Sequence, residues 1–331
     1  MATIGSDLPT LLDLMKTRDP KGRTLKIIEQ KAKWNDILMD AIYVECNNGT
    51  KHITSMSTGI PEPAFRKYNK GVQPSHGGQV QVEDTTAMME DYGEVDAALA
   101  RKHADEGAYR TQQAKRKLLG FNQKTSRYCF YGNTATEPEG FLGLAPRFDD
   151  LSAPSGANVV DAQGTGSENT SIWFVTWGEE TCHLIYPENT VIGFQNKDLG
   201  EQTKEFSDGS MMQVLRDHFR QDIGLSVPDW RGVSRVANID VGDLTKDAQS
   251  GADLIDYMID AYYRLQNPEQ ASGKVAIYCN RTIQTFLHKQ AMNGKNVNLT
   301  IENFEGKPVT KFLGYPIRRD DSLINAEGRV T

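Results

Sequence analysis

FLGLAPRF at residues 141–148 and FLGYPIRRDDSL at residues 312–323 are the two stretches that decide the fold class. The first follows Tyr131-Gly132-Asn133, and roughly 170 residues separate the two. Each is an apolar run cut by Gly and Pro, which fix tight turns and end strands. Each also contains Arg or Asp side chains that can hold a turn or an interface by charge-assisted hydrogen bonds. Neither stretch has the pattern of a catalytic motif.

The composition is that of a globular protein with enough residues for two or three lobes. Hydrophobic residues make up 38% of the 331 residues, and 29 glycines bring the total into the ordinary range for globular proteins. The formal net charge of -7 argues against a protein whose main task is to grip nucleic-acid phosphates. It is compatible with a container for DNA, because a shell that lines DNA benefits from not adhering to it.

The sequence predicts no membrane segment and no disulfide framework. Residues 1–12 lack the basic start and long apolar run of a signal peptide, and no stretch reaches the ~18 apolar residues of a membrane span. We therefore expect a protein that is soluble and intracellular when made. The four cysteines are more than 50 residues apart, which favours free, buried thiols; they are Cys46, Cys129, Cys182 and Cys279.

No stretch carries a recognisable catalytic, metal or cofactor pattern. Gly164-Thr165-Gly166 is a fragment of a dinucleotide fingerprint, but it lies in a polar loop rather than between a strand and a helix. Asp253, Asp256 and Asp260 share one face of a predicted helix, and we interpret them as solvated acids that suit the positive N-terminal dipole. We expect no catalytic residues, no metal and no cofactor.

The first 122 residues predict two helices separated by an extended segment. Apolar spacing predicts an amphipathic helix from Thr24 to about Val44 and a long helix from Thr86 to about Asn122. Between them, residues 50–86 are rich in Thr, Ser, Gln and Gly and are interrupted by prolines, so they cannot form a core of their own. They suit two long strands that find apolar partners on another chain; the alternative is a flexible surface loop.

The remainder predicts an antiparallel sheet followed by alternating helices and strands. We expect an exposed loop over 152–171, strands over 172–177 and 181–186, and a hairpin turn at Asp208-Gly209. The final third predicts helices over 254–265 and 281–292, a strand over 274–279, and a hairpin over 298–312. The fold class is therefore α+β, without an internal repeat.

Several stretches resemble the major capsid proteins of tailed bacteriophages, which adopt the Hong Kong 97-like fold. The resemblance spans almost the whole chain, and it depends on the order and spacing of the motifs more than on any one of them. The motifs are Leu8-Pro9-Thr10-Leu11, Trp34-Asn35-Asp36-Ile37-Leu38, Thr58-Gly59-Ile60-Pro61, residues 65–72, Tyr131-Gly132-Asn133, Phe141-Leu142-Gly143-Leu144, Ile223-Gly224-Leu225, Asp229-Trp230-Arg231, residues 235–239 and Gly314-Tyr315-Pro316-Ile317-Arg318.

The resemblance implies a division of the chain into four parts. These are an N-terminal arm and helix at 1–49, an extended β-hairpin loop at 50–86, a peripheral domain with a long spine helix at 87–159 and 301–331, and a mainly axial domain at 160–300. The spine helix itself is expected over 87–122. The block of strands before the axial section departs from the family's pattern, so the strand connectivity stays open.

The function implied by the resemblance is that of a major capsid protein. Such a protein self-assembles into pentamers and hexamers of an icosahedral shell that encloses double-stranded viral DNA without sequence-specific binding. It is located in the virion and assembles in the host bacterial cytoplasm. The implied partners are other copies of itself, a portal protein, a scaffolding or protease function and a cement or decoration protein, with no membrane contact.

We predict contacts between subunits at residues of the extended loop and at three arginines near the two opening motifs. These residues are Thr58, Pro61, Phe65, Arg66, Tyr68, Val80, Val82, Arg147, Arg318 and Arg319. Two alternatives remain at this stage. One is another phage structural protein, such as a tail or decoration component, and the other is an α/β enzyme built on residues 250–331.

Overall fold

The computed structural model describes residues 35–102, 106–244, 253–266, 273–292, 299–304 and 307–331. Within these ranges the helices are α1 (Ile37–Asp40), α2 (Ala97–Arg101), α3 (Glu106–Tyr131), α4 (Leu254–Arg264) and α5 (Arg281–Met292). The strands are β1 (Tyr43–Glu45), β2 (Lys51–Ser57), β3 (Gln79–Asp96), β4 (Val159–Asp161), β5 (Asn169–Trp177), β6 (His183–Tyr186), β7 (Phe194–Glu205), β8 (Met211–Ser226), β9 (Val233–Asp240), β10 (Lys274–Cys279), β11 (Leu299–Phe304), β12 (Lys307–Phe312) and β13 (Tyr315–Arg319).

The strands form two mixed sheets. One has the order β11-β12-β13-β10-β5-β9-β4, with β10–β13 and β4–β9 parallel. The other has the order β1-β6-β8-β3-β2, with β7 also paired to β8. The chain separates into two compact units, and the long elements β3, α3 and β8 each contribute residues to both.

The larger unit has its main core between one face of the seven-stranded sheet and helices α4 and α5. All nine residues of β5 are buried, as expected for a central strand covered on both faces. Phe174 on β5 packs with Met258 of α4, Leu287 of α5 and Phe312 of β12 in this core. Asp253 caps α4, because its side chain accepts hydrogen bonds from the backbone N–H groups of Ile255 and Asp256.

The two opening motifs are turns that join elements of the larger unit. Residues 143–144 satisfy carbonyl groups at the C-terminal end of α3, since Gly143 N donates to Gly132 O at 2.8 Å and Leu144 N donates to Cys129 O at 2.9 Å. Leu313 and Gly314 connect β12 to β13 with φ angles of 47° and 86°. Two successive positive φ values characterise the tight hairpin turn that matches strand twist.

The described part of the smaller unit comprises residues 88–125 and 191–222. It contains the second half of β3, helix α2, most of α3, strand β7 and the first part of β8. Aromatic contacts hold α3 to the strands: the ring centroid of Phe121 lies 5.2 Å from that of Phe194, which stacks on Phe219 at 5.7 Å.

The structure confirms many sequence predictions and corrects others. The helices of the final third, the strand at 274–279 and the turn at Asp208-Gly209 are confirmed. The prediction of a helix over 87–122 is wrong in its bounds, because residues 79–96 form one strand and the long helix runs over 106–131. The predicted exposed loop at 152–171 contains β4 and the buried start of β5.

The N-terminal prediction is only partly covered by the described residues. Residues 1–34 lie outside them. In the remainder, the helix predicted to reach about Val44 ends at Asp40, and Tyr43–Glu45 pairs with β6 as a parallel strand. This pairing to a strand about 140 residues away is non-local and therefore not readable from the periodicity.

Candidate assembly interface

The hairpin formed by β2 and the first part of β3 carries the most strongly exposed large apolar side chains among the described residues. Seven residue pairs, from Lys51↔Thr85 to Ser57↔Gln79, fix its register. Above them, residues 58–78 contain no regular strand or helix. Pro61, Pro63 and Pro74 remove backbone donors there and oppose continuation of the ladder. The segment from 51 to 85 thus contains the two paired strands that were predicted, and their contact with another chain stays a prediction.

The neck of the hairpin requires glycine. Thr58 N donates to Gly78 O at 3.0 Å, so the two chains approach closely just above the last ladder pair. A Cβ at Gly78 would lie 2.5 Å from Thr58 Oγ1, and one at Gly77 would lie 2.6 Å from Gly59 O. Gly77-Gly78 therefore lets the tip fold back without a collision.

The tip, defined as residues 58–78, exposes large apolar side chains. Phe65 is fully exposed, Tyr68 is 97% exposed and Ile60 is 91% exposed. Such side chains lose little entropy on docking and bury a large area, so clusters of them commonly anchor protein interfaces. Arg66, Lys67 and Lys70 flank the rings, so the tip combines aromatic anchors with positive charge.

The root of the hairpin is tied to the body by a buried ion pair. Asp84 on β3, whose side chain is 4% exposed, lies 2.6 Å from the guanidinium of Arg147. The same carboxylate accepts from Ser226 Oγ at 2.9 Å and from Val227 N at 3.1 Å. Arg147 also donates to the carbonyl oxygens of Leu142 and Leu225. A buried pair whose two members both make further hydrogen bonds has the geometry of both partners fixed.

Two buried histidines stand beside this ion pair. The rings of His52 on β2 and His183 on β6 meet edge to face, with centroids 5.2 Å apart. His183 Nδ1 lies 3.3 Å from Gly178 O, whereas His52 Nδ1 and His183 Nε2 have no partner among the described residues. Burial lowers the pKa of both imidazoles, so both are neutral at neutral pH.

The two C-terminal arginines bond within their own chain, away from the hairpin in sequence. Arg318 lies 3.2 Å from the buried carboxylate of Asp40, which also accepts from Lys274 Nζ at 2.9 Å. Arg319 forms a bidentate pair with Asp321. Both guanidinium groups keep about a third of their surface exposed.

The structure therefore brings most of the predicted contact residues together. Seven of the ten belong to the hairpin: Thr58, Pro61, Phe65, Arg66, Tyr68, Val80 and Val82. Val80 is half exposed and Val82 is partly buried. Arg147 lies at the hairpin root, with only 14% of its side chain exposed. Arg318 and Arg319 lie on or at the end of β13.

The sequence predictions missed four residues of this region. Ile60 and Val72 are exposed apolar tip residues that were not among the predicted contacts. His52 and Asp84 occupy directly opposed positions of the hairpin ladder, which is a signal visible once the register is known. Their burial depends on β6 and β8 and had no local signature.

Other chemistry is not apparent in the described ranges. They contain no group of three or more His, Cys, Asp or Glu residues arranged to hold a metal ion. The helices described here include none with the length and apolar character needed to cross a membrane. All four cysteines are buried and unpaired with one another, as predicted. Trp173 and Trp177 are fully buried core residues.

The chain is similar to known capsid proteins. A family model described as "Major capsid protein GP7" matches residues 19–331. A chain in the near-atomic cryo-EM structure of bacteriophage Epsilon15 is 50% identical, with alignment over 100% of this chain and 99% of that one and a TM-score of 0.79. A chain of the bacteriophage JBD30 capsid is 9% identical and shares the fold, with a TM-score of 0.53 over 97% of this chain and 99% of that one. No curated protein matches.

Proposed function

The chain belongs to the GP7 family of major capsid proteins, and we propose that it builds its shell by docking the hairpin tip onto a neighbouring copy. It is a major capsid protein of a tailed phage, with the Hong Kong 97-like fold and a place in the virion capsid. Subunits of this kind assemble with copies of themselves into a shell. The family membership favours this role over the tail, decoration and enzyme alternatives.

The finer details of the assembly belong to the proposal. We propose pentamers and hexamers in an icosahedral shell that encloses double-stranded DNA, formed in the host bacterial cytoplasm. A portal, a scaffolding or protease function and a cement protein complete the particle. The functional parts are the arm at 1–49, the extended loop at 50–86, the peripheral domain at 87–159 and 301–331, and the axial domain at 160–300, with α3 as the spine helix.

One observation carries the proposal: the tip exposes Ile60, Phe65 and Tyr68, none of which has a core of its own to enter. Exposed apolar clusters of this kind mark interaction sites. A second copy is the partner that a shell subunit meets on every side. The tip carries three basic residues and one acidic residue, and it belongs to a chain of net charge -7, so charge also favours docking on another copy.

The predicted contact residues then divide into direct contacts and supports. Thr58, Pro61, Phe65, Arg66, Tyr68, Val80 and Val82 make the contact in this proposal. Arg147 acts through Asp84 by holding the root of the hairpin at a fixed angle. Arg318 and Arg319 offer their exposed faces to a neighbour while their carboxylate partners orient them.

The proposal is tested by replacing residues 58–78 with an Asn-Gly turn. Ser57 and Gln79 are directly opposed, so a two-residue turn can close the ladder without strain. We expect a folded, soluble protein with a normal circular dichroism spectrum that forms no closed shells in electron micrographs under conditions where the wild type does.

A matched control separates the side chains from the loop itself. A Gly-Ser linker of equal length in place of 58–78 keeps the reach of the tip but removes its rings and charges, and it should fail in the same way. Closed shells of normal diameter from either variant would contradict the docking proposal.

A further inference from the structure

A basic cleft in the larger unit runs along helix α5 and the neighbouring strands. It has a volume of about 410 Å³ and is lined by Arg281, Gln284, Thr285, His288, Lys289, Thr310 and Arg319. The five residues from α5 recur at the spacing i, i+3, i+4, i+7 and i+8, which places them on one face of the helix. The opposite face, with Ile283 and Leu287, enters the core. The amphipathic helix therefore presents a polar, cationic stripe to the cleft.

Two of the three Arg and Lys side chains that line this cleft are exposed and differ in their partners from partly or fully buried arginines elsewhere in the chain. Arg147, Arg216 and Arg235 each pair with a carboxylate. In the part of the chain that the structure describes, Arg281 and Lys289 form no ion pair, although the Lys289 ammonium lies 4.8 Å from the ring of Phe286. Among the described residues that line the cleft there is no carboxylate.

The remaining polar groups add donors rather than opposing charge. Arg319 contributes a guanidinium that Asp321, 2.6 Å away, offsets. His288 Nδ1 lies 3.4 Å from Thr310 Oγ1, and the Gln284 amide faces the cleft between the two unpaired cations. Two unpaired cations, together with amide, hydroxyl and imidazole groups that can also donate hydrogen bonds, suit an anion with several oxygen atoms.

The distance between Arg281 and Lys289 indicates which kind of anion fits the cleft. Arg281 and Lys289 are eight residues apart on a helix, which is about 12 Å along its axis. One strand of B-form DNA carries a phosphate roughly every 3.4 Å of axis, so this distance spans three to four phosphates, whereas a single small anion would reach one end only.

We propose that this cleft binds the sugar-phosphate backbone of double-stranded DNA without reading sequence. The inference rests on the proposed function, because DNA enclosed by the shell is the polyanion that the subunit would meet. Two unpaired cations give weak binding that salt readily disrupts. Weak binding fits an acidic subunit that must line DNA without immobilising it.

The test compares DNA binding by soluble wild-type subunit and an Arg281→Gln/Lys289→Gln variant. A fluorescent duplex with no chosen sequence is titrated between about 50 and 200 mM salt, and log K is plotted against log salt. Loss of two phosphate contacts should make the slope shallower by about 2 and weaken binding at 50 mM salt roughly 100-fold. Both changed residues are at the surface, and thermal unfolding checks that the variant remains folded.

The matched control is Lys197→Gln/Arg329→Gln, which removes the same charge from two exposed positions outside the cleft. It should leave the slope unchanged. An equal effect of both variants would mean that DNA binding depends on total charge rather than on the cleft, which would overturn the inference. An unchanged slope in the cleft variant would also overturn it. Competition by millimolar inorganic phosphate would indicate a single-anion site and would also overturn the extended backbone contact.

Failure of this inference is distinguishable from failure of the assembly proposal. Shell formation by the same variants is scored in electron micrographs, independently of DNA binding by the soluble subunit. Normal shells with unchanged DNA binding would remove only the cleft proposal. Intact DNA binding with shells that tolerate loss of the tip would remove only the docking proposal.

Discussion

Asp320 is a carboxylate with no exposed surface, at the end of the last strand of the larger unit. It accepts from Ser126 Oγ at 2.9 Å and from Ser322 N at 2.9 Å. Burial raises the pKa of Asp320 to about 6, although these hydrogen bonds favour the charged form. Asp320 also bridges to Asn35, the first described residue. Asn35 is therefore held at a position where the charge state of Asp320 matters.

The stability of the subunit should depend on this carboxyl group. Its folded pKa lies above the unfolded value, so its contribution to folding is largest below about pH 4 and is lost as pH rises to about 6. The loss is of order 3 kcal/mol. Asp320→Asn, which stays uncharged, should therefore gain stability relative to the wild type as pH rises from 4 to 6.5, and the difference should be constant above pH 7.

Urea unfolding across this pH range gives the measurement. A flat difference for Asp320→Asn would mean that water reaches this site and that burial does not govern its protonation.

At this scale the sequence indicates which residue types form bonds but not their partners. Arg147 was predicted to make charge-assisted hydrogen bonds, and it does. Its carboxylate partner Asp84 is 63 residues away, and the two meet only because β3 and the end of α3 converge. A contact of that sequence separation has no local signature, so the predicted place of Arg147 at a subunit contact stays a prediction.

Gly120 of helix α3 lies in open space, whereas Gly132, just after the C-terminal end of α3, lies in a crowded site. A Cβ at Gly120 would meet no atom within 4 Å. A Cβ at Gly132 would lie 2.7 Å from Tyr128 O and would collide with Phe141 O, both of which are backbone atoms that cannot move cheaply. The same substitution should therefore act in opposite directions at the two sites.

We expect Gly120→Ala to stabilise the subunit by about 0.4–1 kcal/mol, because alanine reduces the entropy of the unfolded chain and favours helix. Gly132→Ala should destabilise it by about 2 kcal/mol or more, because overpacking forces the backbone of the 141–144 turn to shift. Thermal unfolding of the two variants beside the wild type tests this. A neutral result at Gly132 would contradict the backbone packing described here.

The elements differ in how far the sequence predicts them. The hairpin over 51–85 follows from composition, because a segment without core residues but with alternating Val80 and Val82 must be extended. Residues 87–96 were predicted as helix because Met88, Tyr92 and Val95 also match helical spacing. Pairing of the long β3 within its sheet outweighs that local preference, and such pairing is a property of the fold.

The larger unit combines a packed sheet core with the exposed hairpin formed by β2 and the first part of β3. In the larger unit, the buried pair of Arg235 and Glu327 and the two hydrogen bonds between Asn238 and Val330 fix the C-terminal segment to the sheet. Because the larger unit is held together in this way, the position of the hairpin root determines where the tip lies. Each subunit in a shell would give one hairpin and receive another, so a weak contact is repeated throughout a closed lattice.

Because every subunit in the shell repeats the same contact, a small change at the tip should have a large effect on assembly. Phe65→Ser/Tyr68→Ser should leave the unfolding free energy of the subunit unchanged, since both rings are exposed. Each ring that anchors an interface typically contributes about 1–2 kcal/mol or more. Loss of two anchors should therefore raise the subunit concentration required for shells by at least roughly tenfold.

Light scattering across a dilution series measures that concentration, and size-exclusion chromatography identifies the unassembled species. Tyr263→Ser removes another strongly exposed ring, from helix α4, and should shift the threshold far less. If the two variants shift it equally, assembly depends on exposed aromatic surface in general. A threshold that moves only for the tip variant, at unchanged subunit stability, would locate the assembly contact on residues 58–78, because no change in folding could then account for the loss of shells.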